Sequence, residues 1–280
     1  MSGTTGTQSL RRGLHLLRWL GATREEDVRL PDLIEASGLE RSTAYRLVAA
    51  LVEEGFAERD PVTKRYRLGL EAMHIGLVAI DRTPLVERCR MPMRRLARVS
   101  GDTVFLTVRH GDYALCLHRE EGSFPIKALT TNVGQRRLLG IGAAGRAILA
   151  QVSEAELDGV WRRHCAEFEA LGMNCAGLRA DMREIRTLGY AAMQDTITTG
   201  VSGIGCVFRP SAAILAGISI AAITSRMDLA RRQELGELIA LECAQLGLRS
   251  DYPKPAKPEP NKTYDASSRI GSDHGCDGVD

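Results

Sequence analysis

The sequence predicts an α+β protein in two parts: a small winged helix-turn-helix at the N-terminus, and a larger domain whose antiparallel sheet is covered by helices. Three observations carry this. The stretch Leu30–Arg67 holds two short helical patterns joined by a turn containing Gly38, then two short strand patterns around a turn. From Thr103 the helical spacing gives way to strand alternation, with His110-Gly111-Asp112 as a hairpin signal. After that, strands and helices come in runs rather than in regular βαβ alternation, which favours an α+β arrangement. A length of 280 residues with 44% hydrophobic content supports two cores.

In order, Ser9 can cap a first helix to about Leu20, with Leu10, Leu14, Leu17 and Leu16 as its apolar side. Pro31 suits the first turn of the next helix, and Asp32 and Glu35 favour its start. Gly38 ends it and Leu39-Glu40-Arg41 makes the turn. The helix from about Ser42 to Glu54 buries Ala44, Leu47, Val48, Leu51 and Val52, and Gly55 stops it. Phe56–Arg59 and Arg65–Leu68 are short strands around the turn residues Asp60 to Lys64, which makes a wing. Residues 1–69 form this first domain. Residues 70–83, with Leu70, Met73, Leu77 and Val78 at helical spacing, read as a linker helix; a dimer contact and packing on its own domain are equally open to it.

The second domain is expected over residues 84–249. Pro84 starts a helix to about Ser100 that Pro92 should kink. Strands are expected at Thr103–Arg109, Tyr113–Arg119 and Ile126–Leu129, and Val133–Leu139 leads into a Gly-rich loop. Helices follow at about Ala143–Gln151, from the capping-box start Ser153-Glu154-Ala155-Glu156 to about Cys165, and around Leu178–Leu188. Strands at Ile204–Phe208 and Ala213–Ile223 and a helix from Leu229 to Leu248 close the domain. The segment 250–280, rich in Pro, Ser, Gly and Asp, is expected to be disordered.

The net charge is only +2, so affinity for a polyanion has to come from local patches. Seven cysteines lie scattered with no C-x-x-C, which fits free thiols in a reducing cytoplasm. The N-terminus has no apolar signal segment, and no apolar run approaches membrane-spanning length, so a soluble cytoplasmic protein with no membrane association is expected. Six histidines show no zinc or triad spacing, and Gly200-Val201-Ser202-Gly203-Ile204 lacks the final glycine of G-x-S-x-G. No metal, no cofactor and no enzymatic activity are expected.

Ser42, Thr43, Tyr45 and Arg46, with Arg41 just before them, cluster at the start of the second helix, off its apolar stripe. In a helix-turn-helix that end meets base edges in the major groove, and Arg46 can reach guanine or phosphate. Lys64 and Arg65 give the wing a basic tip suited to the DNA backbone or minor groove. A helical bundle with a solvated hairpin is the competing reading, and the wing argues against it. In the second domain Gly140-Ile141-Gly142-Ala143-Ala144-Gly145 fits G-x-G-x-x-G, which taken alone admits an enzyme with a nicotinamide cofactor. Gln135 to Leu139 is not a buried apolar strand and no βαβ unit follows, so the segment reads instead as glycine backbone open to a small anion. Arg136 and Arg137 can add positive potential there or serve as surface residues.

SLRRGLHLLRWL and RSTAYRLVAALVEEGFAERD with RYRLG resemble the winged helix of the IclR-type bacterial transcription regulators. VGQRRLLGIGAAGRAILA, GYA, GVSGIGCVFRP and LAGISIAAI resemble that family's second domain, so the resemblance spans about Ser9 to Leu248. It implies a GAF-like effector-binding domain, homodimers or homotetramers, and a pseudo-palindromic double-stranded DNA operator, with repression or activation both open. By position it implies an effector pocket for a small carboxylate at Gly142, Ala143, Asp195, Cys206 and Ser219, Cys206 being a small wall residue. Two departures stand out: only Asp195 is acidic after GYA where the family has an acidic pair, and the hairpin between Pro210 and Gly217 is short. A DNA-associated protein whose second domain only oligomerises is a further alternative.

Overall fold

A computed structural model describes residues 5–22, 27–81 and 84–247. The expected tail falls outside these residues, as do the first four residues and the end of the linker. The chain divides into two compact units at Pro84/Leu85.

The first unit contains α1 (Thr5–Ala22), α2 (Leu30–Ser37), α3 (Arg41–Glu53), β1 (Ala57–Arg59), β2 (Tyr66–Leu68) and α4 (Leu70–Asp81). Gly38 ends α2 in the left-handed region at φ 62°, and its N–H donates to the Ile34 and Glu35 carbonyls. β1 and β2 pair antiparallel, and Val28 adds a bridge to Tyr66. Leu16, Leu20, Val28, Leu33, Val48, Ala57 and Tyr66 form the core. The expectation for α1 needs correction. Ser9 lies inside the helix rather than capping it, and Leu10 and Leu14 are exposed while Leu16 and Leu20 are buried. The leucines of α1 fit helical spacing on more than one side, and packing against α2, α3 and β2 selects the side. α4 keeps Leu70, Met73, Ile75, Leu77 and Val78 exposed.

The second unit runs α5 (Pro84–Ser100), β3 (Thr103–His110), β4 (Tyr113–Glu120), β5 (Arg136–Leu138), α6 (Ala143–Leu149), α7 (Glu154–Glu169), α8 (Cys175–Leu188), β6 (Ala191–Gln194), β7 (Val201–Ser211), β8 (Ile214–Ile223) and α9 (Leu229–Leu246). The six strands form one sheet in the order β5-β4-β3-β8-β7-β6, every neighbouring pair antiparallel. Strand alternation sends Val104, Leu106, Ile204, Cys206, Phe208, Ile218 and Ile220 to one core, with Met93 and Leu96 of α5 and Leu235 and Ile239 of α9. Ala114, Leu138, Ala191 and Val207 join a second core with Ile148, Val160, Phe168 and Met182 of α6, α7 and α8. Helices thus cover both faces.

Three elements depart from expectation. Ile126–Leu129 is not a strand: Ile126 and Leu129 are exposed, because Gln135 and β5 take the edge of β4. β6 carries too few residues for its alternation to stand out, yet it pairs with β7 from Ala191↔Gly205 to Gln194↔Ser202. α7 continues past Cys165 to Glu169 through a non-helical His164. α5 contains Pro92 in its interior, where the sequence predicts a kink.

Candidate functional site

In the first unit, the start of α3 is exposed at Arg41, Ser42, Tyr45 and Arg46, with Thr43 half-buried, while Ala44 and Val48 hold the helix to its core. Among the described residues none of the five side chains has a hydrogen-bond or ion-pair partner. The N-cap residue Glu40 makes no side-chain cap, so the first N–H groups of α3 are also left for an outside acceptor. At the wing, the Asp60 carboxylate accepts from the Val62 and Thr63 amides at 2.8 and 2.6 Å and fixes the turn. Lys64 sits exposed at φ 59°, its ammonium donating to the Pro61 carbonyl at 2.5 Å. Arg65 departs from the expected basic tip: it is half-buried and donates to the Asp27 carbonyl at 2.9 Å.

In the second unit, a cavity with about 720 Å³ of empty space, its open mouth included, lies between the sheet and the start of α6. Phe105, Ser219 and Gly203 contribute from β3, β8 and β7; Gly142 to Gly145 form one wall, and Thr130, Thr131 and Thr196 to Thr198 lie at two loops. The wall is close because β7 has glycine where it meets α6. A Cβ on Gly205 would stand 2.4 Å from the Ala143 carbonyl carbon.

Gly142, the N-cap of α6, and Ala143 both line this cavity, as does Ser219, whose hydroxyl has no partner among the described residues. Cys206 does not. It pairs with Ile218, points to the core under α5 and α9, and is 3% exposed, because strand parity puts it opposite Gly205 and Ser219. Asp195 lies beside a neighbouring hollow with Arg146 and Asp181, not in the wall of this one. Its carboxylate accepts from Thr224 Oγ1 at 2.9 Å and the Gly200 amide at 2.7 Å, and the Thr224 hydroxyl, ahead of that amide, holds its carboxyl below the usual carboxylate range. Asp195 therefore shapes the loop that carries Thr196 to Thr198.

Arg137 is the residue for which the sequence left a surface role open, and it lines the cavity. Its Nη2 donates to the Thr130 carbonyl at 2.5 Å, and burial lowers its pKa from the ordinary guanidinium value. The Gly-rich turn before α6 is held from behind by Arg146, which donates to the Gly140 carbonyl at 2.8 Å and to Asp181 at 2.6 Å. That turn follows a three-residue edge strand of an antiparallel sheet, and no strands pair in parallel among the described residues. The βαβ context of a dinucleotide fingerprint is therefore not met there.

Comparison with known proteins gives matches over most of the chain. A family model described as the IclR helix-turn-helix domain matches residues 9–61, and one described as bacterial transcriptional regulator IclR C-terminal matches residues 77–246. The HTH-type transcriptional regulator BhcR of Paracoccus denitrificans is 30% identical over 237 residues, covering 84% of each chain. A solved IclR-type regulator from Silicibacter superposes with a TM-score of 0.72 at 23% identity, over 85% of this chain and 94% of that one. An IclR homolog from Microbacterium hydrocarbonoxydans, crystallised with 4-hydroxybenzoate, has a TM-score of 0.65 at 19% identity, over 85% and 98%.

Proposed function

From the premise that this chain belongs to the IclR family of bacterial transcriptional regulators, with a DNA-binding helix-turn-helix and an effector domain, we infer a regulator whose operator binding is modulated by a small organic acid. Residues 1–69 read DNA, 70–83 link, and 84–249 sense the ligand. Arg46, with Arg41, Ser42, Thr43 and Tyr45, enters the major groove from the start of α3, and Lys64 contacts phosphate from the wing. Two heads of a homodimer, or of a tetramer built from such pairs, meet a pseudo-palindromic operator.

One observation carries the effector half: a cavity against the start of α6 that gathers free donors and is lined by no carboxylate. The Ser219 hydroxyl and the backbone at Gly142 and Ala143 offer hydrogen bonds to a carboxylate. The relative crystallised with 4-hydroxybenzoate lends support to a small aromatic acid. Binding works on the DNA heads only through different affinities for their two arrangements.

The test is binding of the purified full chain to the DNA upstream of its own coding sequence, at fixed moderate salt, with and without a panel of small carboxylates. Specific binding that one acid alters is the expected result. Specific binding that no acid alters overturns the effector half, and binding no better than to random DNA overturns the operator half.

A further inference from the structure

We propose that Arg137 is the charge-selecting residue of the effector cavity, so that this chain takes ligands bearing a carboxylate and rejects their neutral isosteres. The inference rests on reading that cavity as the effector site.

Of the side chains that line the cavity, Arg137 alone is charged. The residue sits on β5, paired with Ala114 of β4, while its neighbour Leu138 is 1% exposed in the core. From there its side chain passes the start of α6, with Cδ 3.8 Å from where a Cβ on Gly142 would stand. One guanidinium nitrogen is spent on the neutral Thr130 carbonyl. Among the described residues no carboxylate pairs with Arg137, and its remaining N–H groups have no acceptor.

Several other arginines of this unit do pair with acids: Arg146 with Asp181, Arg95 with Glu242, Arg226 and Arg231 with Asp102. Asp195, the acid expected in the pocket, is held by Thr224 and Gly200 outside its wall. A half-buried cation without an acid is an incomplete arrangement, because partial burial removes water that would otherwise solvate the charge. A carboxylate completes it. The planar fork of a guanidinium presents parallel N–H donors to the two oxygens, which an amide or alcohol cannot match.

The two loops beside the cavity supply what surrounds the rest of the ligand. Thr130 and Thr131 lie on one, Ile197 and Thr198 on the other, and Phe105 and Met193 add apolar surface. A single carboxylate on a compact, largely apolar body therefore fits. A dicarboxylate would leave its second charge without a cation among the residues that line the cavity.

The experiment is calorimetric titration of the full-length protein with acid–amide pairs: benzoate and benzamide, 4-hydroxybenzoate and 4-hydroxybenzamide, butyrate and butyramide. Wild type is expected to prefer the acid of a binding pair by about 10- to 100-fold. Arg137→Gln is expected to erase that preference, and Arg137→Lys, which keeps the charge but not the fork, to retain part of it. Far-ultraviolet circular dichroism and retained operator binding establish that both variants are folded. A folded Arg137→Gln protein with the wild-type acid preference overturns the role of Arg137 and leaves the effector site standing. If wild type binds no acid of the panel, the small-acid reading fails and this inference falls with it. Failure of Arg137→Gln to fold leaves Arg137→Lys decisive, since undiminished acid preference without the fork contradicts bidentate selection.

Discussion

Gly205→Ala tests how the cavity wall is built. A Cβ there would stand 2.4 Å from the Ala143 carbonyl carbon, 2.5 Å from the Ala144 nitrogen and 2.6 Å from the Ala143 oxygen. All three are backbone atoms, so no rotamer change relieves the contact. Restoring an ordinary carbon–carbon separation of roughly 3.5 Å moves the start of α6 about 1 Å off the sheet. Overpacking of this kind costs about 1–3 kcal/mol, and the rigid partner argues for the upper end. At about 2–4 °C per kcal/mol, the unfolding midpoint of the effector unit should fall by roughly 6–12 °C. Gly203→Ala is the control, two residues away on the same face of β7. Its Cβ would have nothing nearer than 3.5 Å, so a change within about 1 kcal/mol is expected, and reduced freedom of the unfolded chain favours it. Differential scanning calorimetry of the two variants reads the difference. Equal midpoints for the two variants would refute the close-approach argument, because strand propensity changes alike in both.

Three further expectations follow from the geometry. Arg146 and Asp181 are 4% and 8% exposed, so Asp181→Ala should destabilise by about 3–5 kcal/mol by stranding a buried cation, whereas Arg146→Met with Asp181→Leu should recover much of the loss; additive losses in urea unfolding would contradict this. Asp112 is held below its usual value of 3.8 first by the Arg163 guanidinium and then by His164, burial opposing. Its contribution is therefore complete above about pH 4 and is lost as pH falls through the lower folded value, so the gap in melting temperature between wild type and Asp112→Asn should narrow in acid. A gap constant from neutral to strongly acidic pH would count against that pairing. In the DNA domain, Arg46→Ala should cost about 1–3 kcal/mol of operator binding and relax specificity, while Lys64→Ala should weaken all sequences alike and lower the salt slope by about one. Electrophoretic shift titrations over a salt series separate the two effects, and unchanged discrimination after Arg46→Ala would remove it from base contact.

The helix-turn-helix was legible because its signals are local. Pro31 and Gly38 mark the ends of α2, Ala44 and Val48 mark the buried side of α3, and Asp60 fixes the wing turn, each acting within a few residues of itself. The Gly-rich segment at Gly140–Gly145 was also visible, as backbone that approaches something closely. What it approaches was not: Gly205 lies sixty residues downstream, and only the sheet brings it against Ala143.

Composition, periodicity and turn chemistry in the sequence by themselves determined the α+β class, the order of most of its elements and the exposed polar cluster at the start of α3. Only the tertiary structure decided which side of each element does what. Leu16 and Leu20 rather than Leu10 and Leu14 became the buried side of α1, since a helix with several leucine-bearing sides takes its inner one from its partners. Cys206 went to the core and Ser219 to the cavity, because strand parity fixes which residues share a face but not which face opens on the cavity. Arg65 turned inward while Arg137 was left facing the cavity without an acid, and no spacing in a sequence records the absence of a partner that would have come from a distant strand.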